Sequence, residues 1–244
     1  MTEKYFSPWR AFVGMTRDLV MGKKLTPYYI SYNTKHLNLG DSITKAKEIF
    51  PDSKDMYKGD QLMSWPEWLI EGVFPYHLYL EHKESLTDML KDERLFQPPS
   101  FFKKDSHTSF VGRMARPRKG KSFLAYAIDR WSRGNHKSMP HFYFDVESPE
   151  WVFEELMRNQ DQIKSGRTAV SCVMNISLRW DSVKKEPWLF LIIKHSQWSH
   201  CFGDIFGGAL FLNAFLKEVN LPLNGNVGIF FVSVTFDGKK NVLV

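Results

Sequence analysis

Cysteine is scarce in this chain of 244 residues: there are two, Cys172 and Cys201. Two cysteines cannot build a disulfide scaffold, and without a C-x-x-C pair they offer no zinc-site spacing. A reducing compartment, hence a cytoplasmic location, is the expectation. Also lacking is any run of 18 apolar residues, so no segment is expected to span a membrane and no membrane partner is implied. The first residues, MTEKYFSPWRAFVG, have no cationic start followed by an apolar run, which argues against a signal peptide. Gly203, Gly207 and Gly208 follow an apolar run but are spaced G-x-x-x-G-G, which is not the dinucleotide fingerprint, and no Lys-Ser/Thr pair follows as a P-loop would need. Internal repeats and low-complexity tracts are absent too.

What the chain has is apolar bulk: 43% of residues are hydrophobic and 15% aromatic. That is enough for a large core. The expectation is one domain over 1–244, with a possible subdivision into an N-terminal helical part, 1–111, and a sheet core, 122–244. The net charge of +6 suits a phosphate-bearing partner, nucleotide or nucleic acid, although many proteins carry such an excess and bind nothing acidic.

Local patterns place the elements. A helix is expected near Trp9–Met21, ending at Gly22 and a lysine pair. Tyr28–Tyr32 is rich in β-formers. Asp41-Ser42 opens a second helix that stops at Pro51. Pro75 divides the apolar segment 67–90 in two. Ser122–Trp131 has one apolar face at helical spacing, and Ser148-Pro149-Glu150 is a helix start. His141–Val146 is expected to be a strand. The β-rich run 167–180 and the run 188–195, joined by DSVKKEP, read as an antiparallel hairpin. Ala209–Val219 is apolar on nearly every face, the pattern of a buried helix. Val227–Phe236 is almost continuously apolar, the pattern of a central strand. The fold class is α+β: a mixed, mainly C-terminal sheet around a buried helix, with a looser helical N-terminal half.

Several groups invite a chemical reading beside a plain one. Arg113, Arg116, Arg118, Lys119 and Lys121 fall within nine residues; they form either a phosphate-docking patch or a solvated loop. Gly203, Gly207 and Gly208 would put free N–H groups at the start of the buried helix, or else serve close backbone packing. Cys172 lies five residues after Arg167, and Cys201 adjoins His200 on an expected turn; each is a nucleophile only if a neighbour lowers its pKa, and otherwise an inert buried thiol. His77 and His82 have no third partner at metal spacing and read as ordinary surface or core histidines.

Asp204-Ile-Phe206-Gly-Gly208-Ala-Leu-Phe211-Leu212-Asn213, followed by the buried helix and LPLNGNVGIFFVSVTFDG, resembles a motif of the thymidylate synthase superfamily, which includes the pyrimidine hydroxymethylases. The family pattern is Gln-Arg-Ser-x-Asp-x-Phe-x-Gly-x-Pro-Phe-Asn, and Asp204, Phe206, Gly208 and Phe211 fall in register. Upstream, Arg167-Thr-Ala-Val-Ser171 looks like the family's Arg-Arg-x-x-x-Ser strand. The resemblance covers roughly residues 150–240 and implies a thymidylate-synthase-like mixed sheet. By the same resemblance Arg167, Ser199, Asp204 and Asn213 would bind a nucleotide and Cys172 would be the nucleophile. The departures are chemical. Trp198 stands beside Ser199 where the phosphate-binding Arg is expected, and strict register puts Cys201 there. Leu212 replaces the base-reading Asn, with Asn213 one step off. No Pro-Cys-His motif surrounds a nucleophile.

Three functions follow as expectations. The first is a divergent, non-catalytic member of that superfamily binding a phosphate-rich partner or another protein. The second is a transferase modifying C5 of a pyrimidine, in a nucleotide or in DNA, with reduced folate as its cofactor. The third is a structural or assembly subunit, a homo-oligomer or one of several partners.

Overall fold

The structure, a computed structural model, describes residues 4–22, 27–49, 56–58, 61–92, 123–134, 173–181, 183–193 and 196–236. Strand β1 (Lys4–Tyr5) leads into α1 (Pro8–Val20). Ser7 caps α1 by accepting from the Arg10 N–H at 3.3 Å, and Pro8 occupies the first turn, where a missing N–H costs nothing. Strand β2 (Tyr28–Asn33) and helix α2 (Leu39–Ile49) follow, then the short pair β3 (Met56–Lys58) and β4 (Gln61–Met63). Helix α3 (Trp65–Val73) starts at Ser64, whose N–H donates to Glu67 Oε2 at 2.7 Å. The expected break at Pro75 separates it from α4 (Tyr76–Glu81), and α5 (Leu86–Met89) comes next. After α6 (Phe123–Ser132) come β5 (Val173–Asp181) and β6 (Glu186–Ile193), paired antiparallel as the sequence suggests. Asp181 Oδ1 closes that hairpin by accepting from the N–H groups of Val183 and Lys184, both at 3.0 Å.

The remainder is β7 (Ser196–Gln197), α7 (Trp198–Glu218), β8 (Asn226–Phe231) and β9 (Val234–Thr235). The main sheet has the order β1-β2-β8-β6-β5. It is mixed: β6 and β8 are parallel, β2 and β8 antiparallel. Helix α7 is the crossover between the two parallel strands, as parallel neighbours require. The fold class is thus α+β with a mixed sheet and a buried central helix.

Three details depart from the sequence expectation. The sheet is less C-terminal than expected, because β1 and β2 supply two of its five strands. The apolar run 227–236 is not one strand. Its backbone leaves the sheet at Val232 and Ser233, beyond the end of β6, and β9 pairs instead with β7. The buried helix does not begin after the glycines but at Trp198, so Gly203, Gly207 and Gly208 lie inside it. Interior amides are bonded to carbonyls four residues back, so no anion-binding helix terminus exists at those glycines.

Seventeen of the 21 residues of α7 are buried. Phe202, Phe206, Phe211 and Phe215 are all fully buried, each worth roughly 1.5–3 kcal/mol of transfer free energy. That outweighs the roughly 1 kcal/mol that each interior glycine costs a helix. Gly203 has a packing reason: a Cβ there would lie 2.5 Å from the Leu69 carbonyl oxygen of α3. Gly203→Ala therefore sets a gain of about 1 kcal/mol in helix propensity against an overpacking cost of about 1–3 kcal/mol. Thermal denaturation is expected to show a net fall in Tm of a few degrees. A rise would mean that α3 and α7 do not touch there.

Candidate functional site

The buried carboxyl at the centre of the core is Asp204, the seventh residue of α7. It is 9% exposed. Its Oδ2 accepts from Ser196 Oγ at 2.9 Å. Ser196 is placed by β7, whose pairing with β9 holds the chain just before the helix. On the other side stands Tyr32, fully buried on β2, whose hydroxyl donates to the Ile205 carbonyl at 2.5 Å. Gly208, one turn along, packs most tightly on Leu191: a Cβ there would be 3.1 Å from Leu191 Cδ1 and in ordinary contact, at 3.4 Å, with the Tyr32 oxygen. Strand, helix and the β7 link thus meet at one small polar cluster inside an apolar core.

Burial pushes the Asp204 carboxyl up to about 7, against the opposing pull of the Ser196 hydrogen bond. Burial, and next the Asp204 charge, push the Tyr32 hydroxyl well above its ordinary value, so it stays a donor. A buried carboxyl that titrates near neutrality with a hydroxyl partner can exchange a proton or hold a polar ligand group, and such groups cluster at functional sites.

The other residues singled out in the sequence do not converge on it. At about 100° per residue, Ser199 lies about 140° around α7 from Asp204, and Asn213 about 180° around and about 13 Å along the axis. Ser199 is buried, and Asn213 Oδ1 is buried without a hydrogen-bond partner. Leu212 is fully buried. Cys201 is fully buried in the first turn of the helix rather than exposed on a turn. Trp198 is 2% exposed; it stacks on Phe12 with ring centroids 5.9 Å apart, lies 5.2 Å from the Phe236 ring, and donates its Nε1–H to Thr16 Oγ1 at 2.8 Å. Arg167, Cys172, Arg113, Arg116, Arg118, Lys119 and Lys121 lie outside the described residues, as do the expected strand 141–146 and the helix start at Ser148.

The histidines behave as ordinary ones. Glu71 Oε2 accepts from the His77 backbone N–H at 2.7 Å and pairs with its Nδ1 at 2.9 Å, tying the start of α4 to α3. His82 Nε2 pairs with Asp92 Oδ2 at 2.9 Å. Among the described residues no group of three His, Cys, Asp or Glu side chains could hold a metal ion, and no helix is long and apolar enough to cross a membrane. Sequence reasoning singled out Asp204 but not Ser196 or Tyr32. Alternation along β2 puts Tyr32 on the same face as the buried Ile30, the one local signal for it; Ser196 had none.

No protein-family model matches this chain, and a comparison with curated proteins gives no match.

The raised Asp204 pKa has a testable sign. The unfolded carboxyl ionises near its ordinary value of 3.8, the folded one near 7. Below the unfolded value both states are protonated and Asp204 carries no penalty. Between the two values the unfolded state alone gives up its proton, so stability falls with rising pH by at most about 1.4 kcal/mol per unit. Above the folded value the penalty is complete. Asp204→Asn removes this slope. Denaturant melts of the two proteins at stepped pH should show the variant gaining on the parent from about pH 4 to 7 and no further; parallel curves would remove the buried titration.

Proposed function

We propose that this chain is a non-catalytic binding protein on a thymidylate-synthase-like α+β fold. Its partner is phosphate-rich, a nucleotide carrier such as single-stranded nucleic acid, contacted through the basic segment holding Arg113, Arg116, Arg118, Lys119 and Lys121. The observation that carries the reading is Trp198. The resemblance asks for a phosphate-binding guanidinium at Trp198 or, in strict register, at Cys201. The first is an indole wedged between Phe12 and Phe236, the second a fully buried thiol. Neither can pair with a dianion, and a phosphate brought there would lack its charge-assisted bonds. The net charge of +6 suits a phosphate-rich partner held elsewhere on the chain.

A second reading, a pyrimidine C5-modifying transferase, is favoured by Asp204 alone. The family resemblance retains this carboxyl, and its raised pKa fits a group that hydrogen-bonds a ligand. That enzyme would need Cys172 as nucleophile, Arg167 on phosphate and a reduced folate as carbon donor.

Fluorescence anisotropy with a labelled single-stranded oligonucleotide separates the two. The binding protein is expected to show affinity that falls linearly with log salt, with Arg116→Ala plus Arg118→Ala reducing the slope by about 1.4. It should release no label from C5-tritiated deoxyuridine monophosphate. Tritium release that disappears in Cys172→Ala would establish the transferase, and no oligonucleotide affinity at low salt would end the first reading.

A further inference from the structure

Strand side chains alternate between faces, so the sheet has a side turned away from α7. On the helix side, Leu189, Leu191 and Ile193 of β6 and Val227, Ile229 and Phe231 of β8 are at most 2% exposed. Their neighbours on the other side are apolar too. Trp188, Phe190 and Ile192 are only half-buried, and Phe230, in the middle strand of the sheet, is 38% exposed. Central strands with one wet face ordinarily carry polar residues there. Gly228 explains the shape of this face. A Cβ at that position would meet the Tyr29 hydroxyl at 2.7 Å and the Phe190 ring at 2.9 Å, so both rings lie down across the middle of the sheet. The result is a flat aromatic centre.

Its rim is charged with both signs. The Lys4 ammonium lies 5.6 Å from the Trp188 ring centroid and the Arg179 guanidinium 5.4 Å from that of Phe190. Glu186, on the same face of β6, accepts from Asn226 at 3.0 Å. None of these three charges has an ion-pair partner among the described residues.

We propose that this face docks a second copy of the chain, sheet against sheet. An aromatic centre with Arg and a polar rim is the composition of a protein–protein interface. A two-fold sets the same patch against itself, so the unpaired cations of one copy can meet Glu186 of the other. Four strands at about 4.8 Å spacing and six residues at about 3.3 Å give a flat footprint of about 380 Å² per copy, to which the two residues of β1 add little. Two such footprints total about 760 Å² before the relief of five large side chains is added, the low end of the interface range, which fits a weak association. Single-stranded nucleic acid fits this face less well, because stacking needs free ring faces. Trp188 and Phe190 are already stacked on each other, 5.4 Å apart and 10° from parallel, each with a cation over it.

None of these residues belongs to the basic segment 113–121 invoked for the phosphate-rich partner, so the two proposals fail independently. Sedimentation equilibrium on the full chain, from low to high micromolar concentration, should give about twice the 28.6 kDa chain mass. Phe230→Glu should weaken association by more than about tenfold with an unchanged far-ultraviolet dichroism spectrum. If that variant does not fold, Arg179→Glu, at an exposed position, should weaken it about tenfold. A parent protein at single-chain mass throughout overturns the proposal, as do folded Phe230→Glu and Arg179→Glu variants that associate as tightly as the parent. A monomer that binds an oligonucleotide and loses it in Phe230→Glu also overturns it, in favour of nucleic acid.

Discussion

A helix apolar around its whole circumference has to be covered around its whole circumference, and most of this structure answers that demand. The Trp198–Glu218 helix is sheathed by the sheet on one side and by α1, α3, α5 and α6 on the others. Its four buried phenylalanines draw partners from distant parts of the chain: Phe202 meets Phe12 edge-on at 5.4 Å, and Phe215 meets Trp131 edge-on at 5.8 Å. The N-terminal region is therefore not an appendage. Phe12, Met15, Ile30 and Tyr32, all fully buried, belong to the same cluster as the helix.

That constraint decides what the residues in the superfamily-like stretch can do. Phe206 and Phe211 are core, and Gly208 makes room for Tyr32 and Leu191. Trp198 and Cys201 fill space that a phosphate-binding site would leave open. Asp204 is the exception. It remains a carboxyl inside the core, held by Ser196 and destabilised by its own burial, and the sequence keeps it there although nothing about packing calls for a charge. Ser196 is the side chain that hydrogen-bonds it, and neither Ser199 nor Asn213 lies on its side of the helix.

Much of the architecture was legible locally. Gly22, Pro75, and the β-formers flanking 181–185 each act through the backbone within a few residues, and each marks an element as expected. The start of the central helix was not legible, because Gln197 gives no side-chain cap and the glycines within the helix read as the turn that opens it. The reason for Gly203 lies in α3, more than a hundred residues earlier, and that for Gly208 in the strands of the sheet. The break at Val232 and Ser233 was hidden because the apolar pattern runs on while the backbone changes partner. The polar cluster was invisible for the same reason: Tyr32 and Ile205 are 173 residues apart, and no local pattern announces their hydrogen bond.

The glycine-containing first half of α7 is rigid core rather than an open phosphate site. Native-state hydrogen exchange measured residue by residue tests it most directly. The amides of Phe202 to Phe211 are predicted to exchange only through global unfolding, with the same free energy and denaturant dependence as the central strand β8. Exchange of Gly203 to Gly208 through a smaller local opening, insensitive to denaturant, would contradict the account.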